Sequence, residues 1–478
     1  MVSGLTDRPM PARLERCDIA LLAALALAAI LGTWTGVLMV NDGAVFLTAG
    51  WFDNSWDLYF SQNSDRWLAT YVTYGPAWAA RHLLGLSAHA YMIAAHLFYF
   101  AVPFLLWLVL RRVETQRLFS RLYLAIALPL LYFPTELVLG LGLWSIWLAL
   151  LSDPARSDRQ ATIATVAFAV LLAFTHPSIA LMSLLYLVVG LLLGMLGRPV
   201  PRRSLVGAGA MAVVVLAGYF TVSHWLKATN PTVLAALGTN RYAYIDPTWM
   251  LATMVLFPAL AAQWLLLLAP GTQAARLRWR IAPLAVTIIA ALGIVSAALG
   301  TGLLTSVYAR HTAGYILALA TVLALVAPAT WRIAARPALL GYAAVAAAAI
   351  VSYNADLFFF GRFVDRYTTP GLVDIDDPAK GWPPITSDNA PRRTYLKWFA
   401  GTDYARDVVA PIYDWHRLAL AFYSYFRSDR QTVLYHRLDR PGDWLPFPCP
   451  VVARTLADTH DTQDRMFLAF LGKNYCVP

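Results

Sequence analysis

The sequence predicts an all-α polytopic membrane protein. Of its 478 residues 59% are hydrophobic and only 13% are charged, where a soluble chain of this length carries about a quarter. Apolar runs of about 20 residues recur along it, the length that crosses hydrocarbon as a helix. Mean hydropathy is +0.57, and the 17 Trp and 23 Tyr suit aromatic belts at two interfaces. A net charge of +10 would suggest nucleic acid in a soluble protein. Here the arginines fall in loops between apolar runs, where they set topology, so no nucleic-acid partner is expected.

The apolar runs divide into about eleven spans. They are Cys17–Val40, Ser87–Leu110, Leu118–Phe133, Leu137–Ser152, Ala161–Thr175, Ser178–Leu196, Leu205–Leu226, Thr248–Ala269, Ile281–Ala309, Thr312–Trp331 and Pro337–Phe359. The first run is too long for a signal peptide and no small-residue cleavage site follows it, so it reads as a retained anchor. Alternate loops carry about seventeen arginines, among them Arg13, Arg16, Arg111, Arg117, Arg121 and Arg203. The other loops, before the tail, carry five basic residues, Arg66, Arg81, Lys227, Arg241 and Arg310. That asymmetry places the N-terminus in the cytoplasm. An odd number of spans then places the tail outside. The expected localisation is a bacterial plasma (inner) membrane, with the tail periplasmic or extracellular.

Two units follow. Residues 1–359 form the membrane module, with a long first outer loop over 41–86. Its Trp51, Phe52, Trp56, Tyr59 and Phe60, interleaved with Asp53, Asp57 and Asp65, suit helices lying at headgroup level. Residues 360–478 are polar and rich in proline, long enough for a small α/β or mixed domain, with a helix expected around Tyr404–Arg427. Two of the three cysteines, Cys449 and Cys476, fall in this tail. An oxidising compartment would join them, closing a loop worth about 3 kcal/mol on the chain-entropy model.

The outer face carries the charges that topology does not explain. Asp42, in Asn41-Asp42-Gly43, stands just beyond the first span. It is ionisable there and meets whatever lies at the lipid surface; a turn residue is the structural alternative. Glu136 lies in a short hairpin between two spans, as a substrate-binding acid or a helix-capping one. His176, before Pro177 at an outer span end, either meets a substrate oxygen or caps a helix. Arg310 and His311 open a late span, and Asp53 lies in the first loop. His82, His89, His96 and His224 show no metal-ligand spacing, and no CxxC, HExxH, GxSxG or phosphate loop is present. Asp374-Ile375-Asp376-Asp377 leaves a divalent metal open as a cofactor, though the Pro378 that follows also suits a solvated turn. No cofactor is otherwise implied.

An acid after the first span, the aromatic loop, Gly85-Leu86-Ser87-Ala88-His89-Ala90-Tyr91 entering a span that ends in Arg111-Arg112, and Ala309-Arg310-His311-Thr312-Ala313-Gly314-Tyr315 are found in this order. In this the chain resembles the GT-C membrane glycosyltransferases, the group of protein mannosyltransferases, aminoarabinose transferases and arabinofuranosyltransferases. The resemblance implies a polyprenyl-phosphate-linked sugar donor, a glycan, lipid or protein acceptor, and an inverting transfer at the outer face. It implies Asp42 as catalytic residue, Glu136 as a second acid, and Arg310 on the lipid phosphate. The chain departs from the family's paired acids in having Asn41 before Asp42, and it lacks a Trp-Trp-Asp signature. Two other classes are weighed: a lipid or polysaccharide transporter or flippase, expected to carry repeats and mid-membrane charges, and a non-catalytic assembly factor with an outer partner-binding domain.

Overall fold

The computed structural model describes residues 14–39, four positions within 43–51, then 67–114, 117–131, 137–195 and 200–229. It further describes scattered positions between 314 and 361, and the segments 371–374, 426–427 and 432–435. Eight helices run through the continuous part: α1 Arg16–Thr35, α2 Trp67–Leu84, α3 Ala88–Val113, α4 Leu118–Leu130, α5 Leu137–Ser152, α6 Asp158–Ala173, α7 Ser178–Met195 and α8 Arg202–Thr229. The helices Arg16–Thr35, Ala88–Val113 and Ser178–Met195, and Arg202–Thr221 within α8, are long and apolar enough to cross a membrane. The predicted spans Thr248–Ala269 and Ile281–Ala309 lie outside the described residues. The described positions between 339 and 361 are helical, where the last span was expected.

Local chemistry sets the helix ends. Ser87 caps α3, its hydroxyl accepting from the Ala90 N–H. Ser157 and Gln160 form a reciprocal capping box that starts α6 three residues before its apolar run. Gly36, at φ 81°, closes α1 in the left-handed region and its N–H donates to the Gly32 carbonyl. The first span was expected to reach Val40. The helix instead ends at Thr35, and Val37–Met39 form a buried 3₁₀ turn, because Gly36 turns the chain where the apolar run continues.

Helix α1 runs antiparallel to α3. Asp18 faces Arg111 at one end, Gly32 packs on Phe100, and Leu38 meets His96 towards the other. Helices α4 and α5 have 13 and 16 residues against 26 in α3. At about 1.5 Å per residue they span about 20 and 24 Å beside about 39 Å. Helix α2 packs on α3, with Tyr74 stacked on Tyr99. Its first turn meets the end of α6, where the Leu68 N–H donates to the Phe174 carbonyl. Small residues let helices approach: a Cβ on Gly142 would lie 3.1 Å from Leu106 Cβ, and one on Gly207 3.0 Å from the Trp147 ring. Two buried tryptophan donors find partners across helices, Trp144 Nε1 on Ser183 Oγ at 3.0 Å and Trp147 Nε1 on Thr165 Oγ1 at 3.2 Å.

One end of the bundle is held by charge. The Arg121 guanidinium forks onto the buried Asp18 carboxylate, Nε at 2.7 Å and Nη2 at 2.9 Å. Arg111 lies 3.8 Å from the same carboxylate. Glu15 takes Arg121 at 3.2 Å and Arg117 at 3.6 Å. The Glu114 side chain accepts from the Phe119 and Ser120 N–H groups and from the Ser120 hydroxyl, so it caps α4 from the preceding turn. The basic residues that sequence assigns to topology thus include two, Arg111 and Arg121, that fasten α1, α3 and α4 together.

In the tail, Gly371–Asp374 (β1) pairs in parallel with Thr432–Tyr435 (β2). A parallel pair needs a crossover between its strands.

Candidate functional site

The candidate site lies at the other end of α1, where the chain enters the stretch that contains Asp42. Two clamps bracket that residue in sequence. On its N-terminal side, His96 lies wholly buried in α3. Its Nε2 accepts from the Leu38 N–H at 3.0 Å, and its Nδ1 is 2.8 Å from the Met92 carbonyl. A backbone N–H on Nε2 puts the ring proton on Nδ1, where it donates to Met92. The neutral ring in this tautomer ties the 3₁₀ turn to α3. On the C-terminal side, the buried Tyr91 hydroxyl donates to the Leu47 carbonyl at 3.2 Å. Arg81 of α2 lies 4.1 Å over the Trp51 ring, and its Nη1 donates to the Gly50 carbonyl at 3.1 Å and to the Trp51 carbonyl.

A residue pair from the tail completes this rim. Phe426, 2% exposed, packs edge-on to Trp51 with ring centres 5.8 Å apart, and 6.3 Å from Tyr91. Arg427 follows it, with its guanidinium against Gly361, where a Cβ would collide with it. Val37–Met39, Leu47, Gly50, Trp51, the start of α3, Gly361 and Phe426–Arg427 therefore share one end of the bundle, opposite the ion-paired end. Beside the rim, α1 and α3 border a cavity of about 400 Å³, lined mainly by apolar side chains and also by Thr33, His89 and Arg427.

Of the residues expected from sequence, His176 is described. It is buried at the start of α7 and its Nδ1 accepts from the Ser178 N–H at 3.2 Å, a cap-like bond. It lies near the α6 end that meets Leu68, whereas the rim is held by Arg81. These two points are about 20 Å apart along α2, so the structure does not bring His176 into the rim. Asp42, Asp53, Glu136, Arg310, His311, Cys449 and Cys476 lie outside the described residues. Among the described residues no group of side chains is suited to a metal ion.

Sequence reasoning missed His96, set aside for want of metal-ligand spacing, and it counted Arg81 as a topology charge. Both carried a readable signal. An imidazole inside a long apolar helix must be paired, and an arginine beside an aromatic loop has both stacking and carbonyl partners within reach. Phe426 and Arg427 gave no such signal.

The apolar helices and the large aliphatic side chains exposed on their outer faces, such as Ile30, Leu97 and Val213, define a helical protein of membrane type. No protein-family model matches the chain, and neither a curated protein nor a solved structure matches it.

Proposed function

We propose that the chain is an integral-membrane glycosyltransferase of GT-C type. It moves a sugar from a polyprenyl-phosphate donor to a glycan, lipid or protein acceptor on the outer face of a bacterial plasma membrane. It has about eleven spans, a cytoplasmic N-terminus, and an outer domain over residues 360–478. Asp42 is the general base that takes the acceptor proton as the anomeric carbon inverts. Arg310, with His311, holds the phosphate leaving group by paired charged donors. Glu136 and Asp53 contact the acceptor.

The observation that carries this proposal is the double clamp of His96 on Leu38 and Tyr91 on Leu47. A stretch fastened to rigid helices at positions on both sides of its carboxylate in sequence suits a positioned base. The test is transfer by the purified full chain in lipid, offered a panel of labelled polyprenyl-phosphate sugars, beside a comparison of envelope glycans with and without the gene. The proposal expects one donor to be consumed, with inversion, and one glycan feature to disappear in the deletion. An unchanged glycan profile together with no turnover of any donor would favour the assembly factor or the transporter.

A further inference from the structure

We propose that four exposed arginines at helix ends, Arg16, Arg112, Arg159 and Arg202, seat the phosphates of anionic bilayer phospholipids. The arginines near these ends fall into two sets. Arg111, Arg117, Arg121, Arg156 and Arg203 are buried or half-buried, and each meets a carboxylate or a carbonyl of the protein. Arg16, Arg112, Arg159 and Arg202 are exposed, and none of them makes a hydrogen bond or an ion pair with a described residue. The acids near them have other work. Glu15 and Asp18 hold Arg117 and Arg121, Asp153 holds Arg156, and Glu114 caps α4. Asp158 precedes Arg159 in the first turn of α6, where an acid favours the helix N-terminus. Adjacent residues on a helix do not face each other.

Each exposed guanidinium stands one turn outside an exposed aliphatic side chain of its own helix. The pairs are Arg16 with Ile19, Arg112 with Val109, Arg159 with Ile163 and Arg202 with Val206. Residues three or four apart share a helix face. Three of the four pairs lie on helices long and apolar enough to cross a membrane. Such a face meets hydrocarbon at the aliphatic residue and headgroups at the arginine. On α6 and α8 two seats stand side by side. A Cβ on Gly207 would lie 3.3 Å from Thr165 Oγ1, and one on Gly218 3.2 Å from Ala173 Cβ, so the two helices run parallel. Arg159 lies about 9 Å before Thr165 and Arg202 about 8 Å before Gly207, nearly level. One turn further in, Ile163 is 59% and Val206 65% exposed. A guanidinium offers paired donors to phosphate oxygens, and an anionic headgroup brings no cation of its own to compete for them. An acidic peptide would match the arginines but would lay unsatisfied backbone over the aliphatic row. These seats go beyond sugar transfer and do not depend on it.

Native mass spectrometry of the purified full chain tests the proposal, with phosphatidylglycerol and phosphatidylcholine of equal chain length as probes. The wild type should favour phosphatidylglycerol. With all four arginines replaced by glutamine the preference should vanish. With only Arg16→Gln and Arg112→Gln made, it should return by about fivefold per arginine retained, the scale of one basic residue at an anionic surface. The four side chains are exposed and unbonded to described residues, so the variants should melt like the wild type. On the wild type itself, neither inorganic phosphate in excess nor a polyglutamate peptide should displace the lipid. Equal binding of the two lipids by the wild type, or a preference that survives all four substitutions, would overturn the proposal. So would displacement by inorganic phosphate, which would give the arginines to a free ion, or by the peptide, which would give them to an acidic protein.

Discussion

The two ends of the α1–α3 pair are fastened by different chemistry. At the Asp18 end, carboxylates and guanidinia bond to one another, and three helices are fixed against each other by buried charge. At the Leu38 end, neutral or stacked side chains reach backbone groups: His96 takes an N–H, and Tyr91 and Arg81 give to carbonyls. The described clamps on the 37–51 stretch use no carboxylate. Ion pairs fix the helices, and backbone bonds fix the described positions Leu38, Leu47, Gly50 and Trp51. Buried charge fastens helix to helix at one end, and side chains fasten backbone at the other.

The largest effect expected is on stability, at the charged end. Asp18→Ala leaves Arg121 and Arg111 buried beside a missing anion and should destabilise the fold by about 3–5 kcal/mol. Unfolding of the purified protein in a denaturing-detergent titration measures it. Adding Arg121→Ala should restore part of the loss; a fully additive double mutant would show that the pair does not act as a unit.

His96→Phe keeps a ring but removes the acceptor for the Leu38 N–H. It should cost about 1–3 kcal/mol, read in the same titration. It should also speed proteolysis in the 37–51 stretch before it changes the helix content. If cleavage there is unaltered, the clamp is not what holds that stretch.

The smallest effect is on pH dependence. Burial pushes the Glu114 carboxyl up to about 7 from its usual 4.5, against the bonds from Ser120 and Phe119, which pull it down. The folded state therefore holds a proton that the unfolded chain gives up. This contribution is full below about pH 4.5 and is lost as pH rises through about 7. Glu114→Gln should flatten the decline of stability between these values; an unchanged profile would assign it to another group.

The same contrast explains what was legible in the sequence. Leu137–Ser152 was bounded to the residue because its apolar run has sharp polar edges. α6 begins at Asp158, three residues before the expected Ala161, because the capping box makes a polar first turn helical, which hydropathy does not register. The early end of α1 depends on the backbone angle of Gly36. The Asp18–Arg121 fork joins residues 103 positions apart, and periodicity says nothing about such pairs. His96 could have been found by asking what satisfies a polar ring in an apolar helix. The reach of Phe426 back to Trp51 could not, because only the fold brings the tail to that rim.

The most direct measurement compares the acid in the first turn of α1, Asp18, with Asp42, which follows the helix in sequence. Purified Asp42→Asn and Asp18→Asn chains are each tested for unfolding and for turnover of the polyprenyl-phosphate sugar that the wild type consumes. Asp42→Asn should unfold like the wild type and lose about 10²–10⁴ in transfer rate, the scale of general-base help. Asp18→Asn should unfold more readily yet turn over normally per folded molecule. Near-normal turnover in Asp42→Asn would contradict the account and leave Asp42 a turn residue.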